Sequence, residues 1–496
     1  MPQKQRYLTK TRFKLGLECP TKLFYTGKEN YVNNKLDDDF LISLAKGGFQ
    51  VGELAKLYFP GGVAIDELDY QTAIAKTEKL LQNENVIIYE AAFLYKDFFV
   101  RTDILEKKGN YIRLIEVKAK SIDDDEEFLA AKGGIISKWR PYLLDVAFQK
   151  YVLSNSHTQF DVEAGLMLAD KSKKTTVEGL NQKFFLFKDG NERQKVKLVG
   201  NTDLPSLGDQ ILTYRNVDEE IGIIFGDTYE LSGRKGSFEE HIRHLSESYK
   251  KDSILYSTLG KKCGECEFSS NDEEIASGLV SGYHLCWKKL ASFQDLDFKI
   301  PHINDVWDFR KKDAYIAELK YFQKNLDRID LEAKKPSKSE GIGLSRVDRQ
   351  ELQITKSKNN DLTQYINKNG LKNEFDSFTF PLHFIDFETS AVAIPFNKGR
   401  RPYEQIAFQF SHHVVQEDGK IEHNGEWICG VPGHFPNFDF IRKLKDELDK
   451  DSGTIFRYAA HENTILNHIY SQLKDSSEKD REELCEWIKT ITKSNI

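Results

Sequence analysis

Three groups of residues in this 496-residue chain have the types and spacings that metal chemistry needs. The first is Asp103 in "RTDIL", followed by Glu116 and Lys118 in "IEVKAK" and by Gln149, with Asp145 one helical turn before it. Side chains alternate along a strand, so Glu116 and Lys118 share one face, and a hairpin brings Asp103 beside them. Two carboxylates meeting there suit Mg²⁺ or Mn²⁺, hard cations that prefer oxygen ligands. Such an ion polarises a phosphodiester and lowers the pKa of a bound water. Lys118 is then placed to orient the water or to stabilise developing charge. Taken alone, the pattern is equally that of an exposed hairpin carrying a surface Glu–Lys pair. Asp103 and Glu116, however, interrupt runs that are otherwise apolar or aromatic.

The second group is Cys263 and Cys266 in "CGEC", Cys286 in "GYHLCWKK" and Cys19 in "GLECPTKLFY". A CxxC spacing lets one turn grip a metal or a cluster edge, and four cysteines make a complete ligand set. On spacing alone a zinc knuckle with two buried cysteines leads. Cys429 and Cys485 have no nearby partners and read as ordinary thiols. The third group is Asp386 and Glu388 in "FIDFET", at i and i+2 of an apolar strand, with Glu462 in "RYAAHENTIL" opening a later helix. Three acids so placed suit a two-metal centre.

These side chains must be positioned by regular elements. "NVIIYEAAFLY", "FFVRTDILEK" and "YIRLIEVKAK" read as three strands separated by turns, and "PYLLDVAFQKYVLSN" as a helix. "DDDFLISLAKGGFQVGELAKLYF" has helical spacing interrupted at Gly47 and Gly48. Residues 299–378 read as a helical connector with a flexible stretch near Pro336–Gly343. From residue 379 the order is β-β-β-α-β-α. Length predicts two or three domains, drawn here as 1–298, 299–378 and 379–496, of α/β (α+β) class. No apolar run is long enough to span a bilayer, and no secretory signal core opens the chain. Six cysteines in so long a chain suit cytosolic metal binding better than a disulfide framework, so a cytoplasmic location is expected. The net charge of −7 disfavours a general polyanion binder, but Lys4, Arg6, Lys10, Arg12 and Lys14 form a stretch without acids, and Lys171, Lys173 and Lys174 another.

The "D…EVK…Q" order resembles the RecB-like nucleases of the PD-(D/E)XK class, including those of CRISPR adaptation and the AddB-type repair nucleases. The resemblance implies a restriction-endonuclease-like core, divalent ions on Asp103 and Glu116, Lys118 in catalysis and Gln149 lining the site. Relatives often carry a His after a G-x-x-V step. Here "GFQVGE" puts Gly52 there, which leaves Glu53 as the candidate substitute ligand. A Tyr four residues after the Gln is also missing, since that position is Leu153. Some RecB-like nucleases hold a [4Fe-4S] cluster on one Cys before the core and three after it. The same arrangement here implies a cluster on Cys19, Cys263, Cys266 and Cys286, with zinc as the alternative, although the 19 residues between Cys266 and Cys286 exceed the usual gap.

The third group resembles the first motif of DnaQ-like (DEDD) exonucleases, and the element order resembles the opening of a ribonuclease H-like fold. "LHFIDFETSAVAIPFNKGRRPYEQIAFQFSHH" resembles a bacterial family known only as a domain of unknown function, found joined to a RecB-like nuclease, and "VGELAKLYFPGG" and "SGYHLCW" resemble its N-terminal half. A DnaQ-like site needs a fourth acid, which nothing after Glu462 supplies. An incomplete second domain, completed by further chain or by a partner, is therefore expected. The functional expectation is a DNA nuclease of repair, recombination or phage defence, acting on single strands or duplex ends. The alternatives are a degenerate nuclease that holds nucleic acid or a partner helicase, and an RNA-processing exonuclease acting from the DnaQ-like half.

Overall fold

The computed structural model describes residues 5–36, 38–190, 194–331 and 343–493. The chain is a mixed α/β molecule with several sheets. The largest has seven strands among the described residues. Its centre is a meander of β1 (Asn85–Tyr95), β2 (Phe98–Lys108) and β3 (Tyr111–Ile122). Lys96 (φ 54°) and Gly109 (φ 57°) supply the left-handed backbone of its two tight turns. β4 (Asp161–Asp170) runs parallel to β3, and β5 (Leu212–Asn216) antiparallel to β4. A parallel neighbour demands a crossover, which is made by the helix of Arg140–Ser156, with Pro141 in its first turn.

Both faces of this sheet are covered, which is why β4 reads as a continuous apolar run. On one face lie α1 (Lys10–Glu18), α3 (Arg140–Ser156) and α4 (Phe238–Lys250), meeting through Phe13, Phe148 and Phe238. On the other lies α2 (Asp39–Leu57), which sets Val51, Leu54 and Ala55 against Ile104, Ile115 and Val117. Gly47 and Gly48 do not break α2, contrary to the expected interruption. Two glycines in a helix interior cost roughly 1 kcal/mol each, and burial of the apolar residues that follow outweighs this.

Within 299–378, expected to be a helical connector, the structure has helices at Arg346–Lys358 and Lys368–Asp376, and only shorter helical pieces before them. Short helical turns at Lys312–Ala317 and Arg328–Leu331 pack with Trp287 of α5 (Gly282–Ala291) in one core that also takes Ile303, Val306, Leu326 and Ile354. The boundary at 298 thus falls inside this core, because the cysteine-bearing segment has too few apolar residues to bury Trp287 by itself. Of the stretch Pro336–Gly343, expected to be flexible, residues 336–342 lie outside the described residues.

The C-terminal unit has a four-stranded sheet in the order β8 (Ile421–Ile428), β7 (Ile406–Val415), β6 (Leu382–Ser390), β9 (Thr454–Phe456), with β9 parallel to β6. Helices α6 (Asn437–Leu448), α7 (His461–Lys474) and α8 (Arg481–Thr492) share its core, with Leu484, Cys485 and Ile488 of α8 buried. The opposite face is open. Phe384 there is 43 % exposed and stacks on Phe456 at 5.0 Å.

The loop between β6 and β7 leaves its own unit and enters the first. Ala393 and Ile394 join the core formed by α2 and β3. Thr175 N donates to Arg400 O (2.9 Å), Gly399 N to Thr175 O (2.7 Å) and Gly179 N to Phe396 O (2.8 Å). Among the described residues no helix is long and apolar enough to cross a membrane.

Ile394 is 1 % exposed inside the other unit's core. Ile394→Ala should therefore cost about 2–5 kcal/mol of stability. Chemical denaturation checks this, and a cost under about 1 kcal/mol would mean that the loop merely lies on the surface.

Candidate active site

The helical face of the large sheet carries the first group of acids. Leu114 packs under α3 while Ile115 and Val117 face α2. The alternation therefore turns Glu116 and Lys118 toward α1 and α3. Asp103 joins them from β2, its Oδ2 accepting from Val117 N at 2.7 Å. Gln149 of α3 donates through Nε2 to Glu116 Oε2 (2.8 Å) and to Asp145 Oδ1 (3.2 Å). Lys118 Nζ pairs with Glu116 and, at 2.9 Å, with Asp145 Oδ2. Asp103, Glu116, Lys118 and Gln149 thus meet in one place.

Glu53 stands further off. It sits on α2, across the sheet's other cover, and pairs with Lys56 at 2.7 Å. Lys56 in turn feels the charges of Glu53, Glu90 and Asp103. Glu53 is therefore connected to the acids through a lysine, and no direct contact joins it to them.

Two participants, Lys10 and Glu90, escaped the sequence reading, which named Asp145 only as the neighbour of Gln149 one helical turn away. Lys10, in the first turn of α1, places its ammonium 2.9 and 3.0 Å from the two oxygens of Glu116 and 3.6 Å from Asp103 Oδ1. Asp145 is fully buried and ion-paired. Glu90 stands opposite Asp103, since Tyr89 pairs with Ile104 and Ala91 with Thr102. Its backbone is left-handed at φ 58° inside a strand, a conformation a non-glycine residue holds only when its surroundings enforce it. The one available signal for Lys10 was its place in an acid-free basic stretch. For Glu90 it was an acid inside an apolar strand.

The electrostatics follow from enclosure. Glu116 has no exposed surface. Burial pushes its carboxyl up, but Lys10 and Lys118 more than offset this and hold it well below the usual range. Desolvation, and then the charge of Glu116, push Asp103 up to about 7. Burial likewise raises Glu90. Lys10 is held above its ordinary value by Asp103, Glu116 and Asp145, against the opposing effect of burial. The ammonium of Lys10 bridging two carboxylates marks a position that selects for a cation. The oxygen donors of Asp103 and Glu116 fit a hard divalent ion there.

The cysteines also converge. Cys19 caps the end of α1, Cys263 lies within the short helical turn Lys261–Glu265 and Cys266 caps its end, and Cys286 lies on α5. All four line one cavity of about 510 Å³. Tyr25 OH lies 3.3 Å from Cys286 Sγ and donates to Gly282 O at 3.2 Å. Position 282 must be glycine, because a Cβ there would sit 2.6 Å from the Tyr25 ring. Lys22 is buried beside the cavity and bonded to Glu18 (2.6 Å) and Glu267 (2.5 Å). Burial pushes the Cys266 thiol up to about 12 and that of Cys286 to about 11. Only a strongly bound cationic group would hold these sulfurs as thiolates near neutrality. Four sulfurs around a cavity fit an iron–sulfur cluster and also fit zinc after closure. Among the described residues no three His, Cys, Asp or Glu side chains form a group that could hold a single metal ion.

A second cavity, of about 780 Å³, is lined by Arg12, Lys14, Lys35, Arg140 and Lys262, by Glu18, Glu230 and Glu267, and by apolar residues including Leu15 and Leu144. Lys14 reaches Asp145 at 3.8 Å, and Arg140 lies 5.0 Å from the centre of the Tyr229 ring.

The third group is only partly assembled. Asp386 and Glu462 line one cavity on the open face of the C-terminal sheet, with His413, Arg457 and Tyr458. Glu462 Oε2 is buried without a hydrogen-bond partner. Glu388 is exposed, lies next to a register shift of β6 and does not line that cavity.

A family model described as a domain of unknown function (DUF2779) matches residues 383–492, from His383 of β6 to Thr492 of α8. No curated protein matches the chain.

The raised Asp103 has a consequence for the metal-free protein. Its folded value of about 7 lies above its ordinary 3.8, so the native state keeps a proton that the unfolded chain releases. That contribution to stability is full at acid pH and is lost as pH rises toward 7. Glu116, shifted the other way, is already ionised in both states above about pH 5 and adds no slope there. Melting temperature in chelator should therefore fall between pH 5 and 7, and Asp103→Asn should flatten the fall. Equal slopes in the two proteins would refute the assignment.

Proposed function

We propose that the chain is a metal-dependent nuclease of RecB-like type that cleaves DNA phosphodiester bonds. The observation that carries this reading is the closed cluster in which Lys10 bridges Asp103 and Glu116 while Lys118 and Gln149 hold the Glu116 carboxylate. A buried acid pair on one face of the sheet, met by lysine and glutamine, is what the resemblance to PD-(D/E)XK enzymes leads one to expect. In the second cavity the cations Arg12, Lys14, Lys35, Arg140 and Lys262 outnumber the acids Glu18, Glu230 and Glu267, and this excess supports a polyanionic substrate, because clustered cations attract phosphates.

Asp103 and Glu116 would hold the divalent ion, which supplies Lewis acidity and an activated water when bound. Gln149 fixes the Glu116 carboxylate in one orientation. Lys118 is tied to Glu116 and Asp145 and presents a cation to charge developing on the phosphate. Lys10 bridges the two acids at the place where that ion would bind, and so adds a second cation beside the site. The four cysteines would hold a [4Fe-4S] cluster, which ties the end of α1 to α5 and so fixes the helix that carries Lys10.

The C-terminal unit reads as a partial DnaQ-like domain. Its strand order and the Asp386–Glu462 cavity support this, and the separation of Glu388 speaks against an independent active centre.

Two measurements test these proposals. Glu116→Ala and Asp103→Ala should abolish Mn²⁺-dependent cleavage of labelled DNA, and Lys118→Ala should lower it by about 10²–10⁴-fold. Asp386→Ala should leave most of the activity. Undiminished cleavage by Glu116→Ala rules the site out, and an equal loss in Asp386→Ala would move the activity to the C-terminal unit. Anaerobically purified protein should be brown, with about four irons per chain, and Cys263→Ser should lose the colour and melt at lower temperature. Colourless protein with about one zinc per chain would replace the cluster with zinc.

A further inference from the structure

The loop at 391–404 does more than tether two units, because it ends against the strand that carries Lys118. In β3 the pairing with β4 passes from Lys118–Leu168 directly to Ser121–Ala169, so Ala119 and Lys120 bulge out of the ladder. The hydroxyl of Tyr403 donates to the carbonyl of Ala119, the first residue of that bulge. Burial pushes the Tyr403 hydroxyl up to about 12, which keeps it a donor.

Tyr403 is itself held in place. Its N–H donates to Val392 O at 2.8 Å and closes the loop at its neck. Its backbone is left-handed, at φ 60°, a conformation that a bulky side chain adopts only under constraint. The loop is clamped by the hydrogen bonds to Thr175 and Gly179 and by Arg401, whose Nη1 donates to Lys171 O (3.1 Å) and Ser172 O (2.6 Å). Ala393 and Ile394 fill the core on the side of β3 that bears Ile115 and Val117. Glu116 and Lys118 project from the other side of the same strand.

We propose that this loop is a positioning element of the acid site, supplied in cis by the C-terminal unit, and that Tyr403 is its positioning residue, acting through Lys118. The proposal rests on the nuclease reading above. It gives the C-terminal unit a role that needs no chemistry of its own. The pairing of β3 with β4 breaks immediately after Lys118 and resumes only at Ser121, and an unsupported bulge there would let the lysine drift relative to Glu116. A displacement of about 1 Å at such a group is enough to cost a large factor in rate.

The test uses the full chain with Mn²⁺ and a labelled single-stranded DNA oligonucleotide, and it needs three readouts. Tyr403→Phe, which removes only the hydroxyl, should lower kcat about tenfold with KM unchanged. Combining it with Lys118→Arg should add little to the loss from Lys118→Arg alone, because both act on one group. In metal-free protein, amide hydrogen exchange over 117–122 should rise in Tyr403→Phe while the rest of the sheet stays protected. Wild-type kcat in Tyr403→Phe overturns the proposal, as does a loss that multiplies fully with Lys118→Arg or unchanged exchange over 117–122. A wild-type chain that cleaves nothing sinks the nuclease reading instead, and the exchange measurement still decides whether Tyr403 holds the strand.

Discussion

The structure is organised around one buried charge. Glu116 lies at the centre of the main sheet with no contact with solvent. An ionised carboxylate cannot remain in such a place unless cations and donors replace the water it has lost. Lys10, Lys118 and Gln149 do so from three different elements. Each then needs its own support. Asp145 neutralises Lys118 and accepts from Gln149, Asp103 shares Lys10, and Lys14 reaches Asp145 from the next turn of α1. The result is a closed network in which removing any one member leaves a buried charge uncompensated.

Helix α1 transmits this requirement across the molecule. Its first turn carries Lys10 to the acids, its middle carries Arg12 and Lys14 along the basic cavity, and its end delivers Cys19 to the cysteine cavity. A helix of nine residues is short, and its register must be set at both ends. Thr9 caps the start, accepting from Arg12 N at 3.4 Å. At the far end Lys22, buried between Glu18 and Glu267, ties the following turn to the segment that bears Cys266. The position of Lys10 between two carboxylates therefore depends on ion pairs and sulfurs at the other end of the helix.

The two halves of the chain are linked by shared packing as well as by sequence. Ile394 lies in the core of the first unit, so the first unit cannot complete its packing without the β6–β7 loop of the second. The C-terminal unit in turn leaves one face of its sheet open, with Phe384 against Phe456. Helix α8 packs within the other layer through Leu484 and Ile488.

By itself the sequence determined whatever depends on local periodicity. A period of two along "YIRLIEVKAK" places Glu116 and Lys118 on one face, and the turns at Lys96 and Gly109 make Asp103 their neighbour. The 3.6-residue period of α3 puts Asp145 and Gln149 one above the other. The same logic placed Asp386 and Glu388 together on β6, yet only Asp386 faces Glu462. Tertiary structure alone decided the rest. Lys10 is separated from Glu116 by 106 positions, and nothing in either segment encodes their meeting. It follows from the short strand Leu8–Thr9 lying parallel to β2. Glu90 enters through strand pairing and a left-handed backbone that no local signal announces. Tyr403 reaches Ala119 because an apolar loop found a vacancy in another unit's core. Spacing along a chain records which side chains share a face. Which faces meet is settled by sheet order and by the burial of apolar surface, and both are properties of the whole fold.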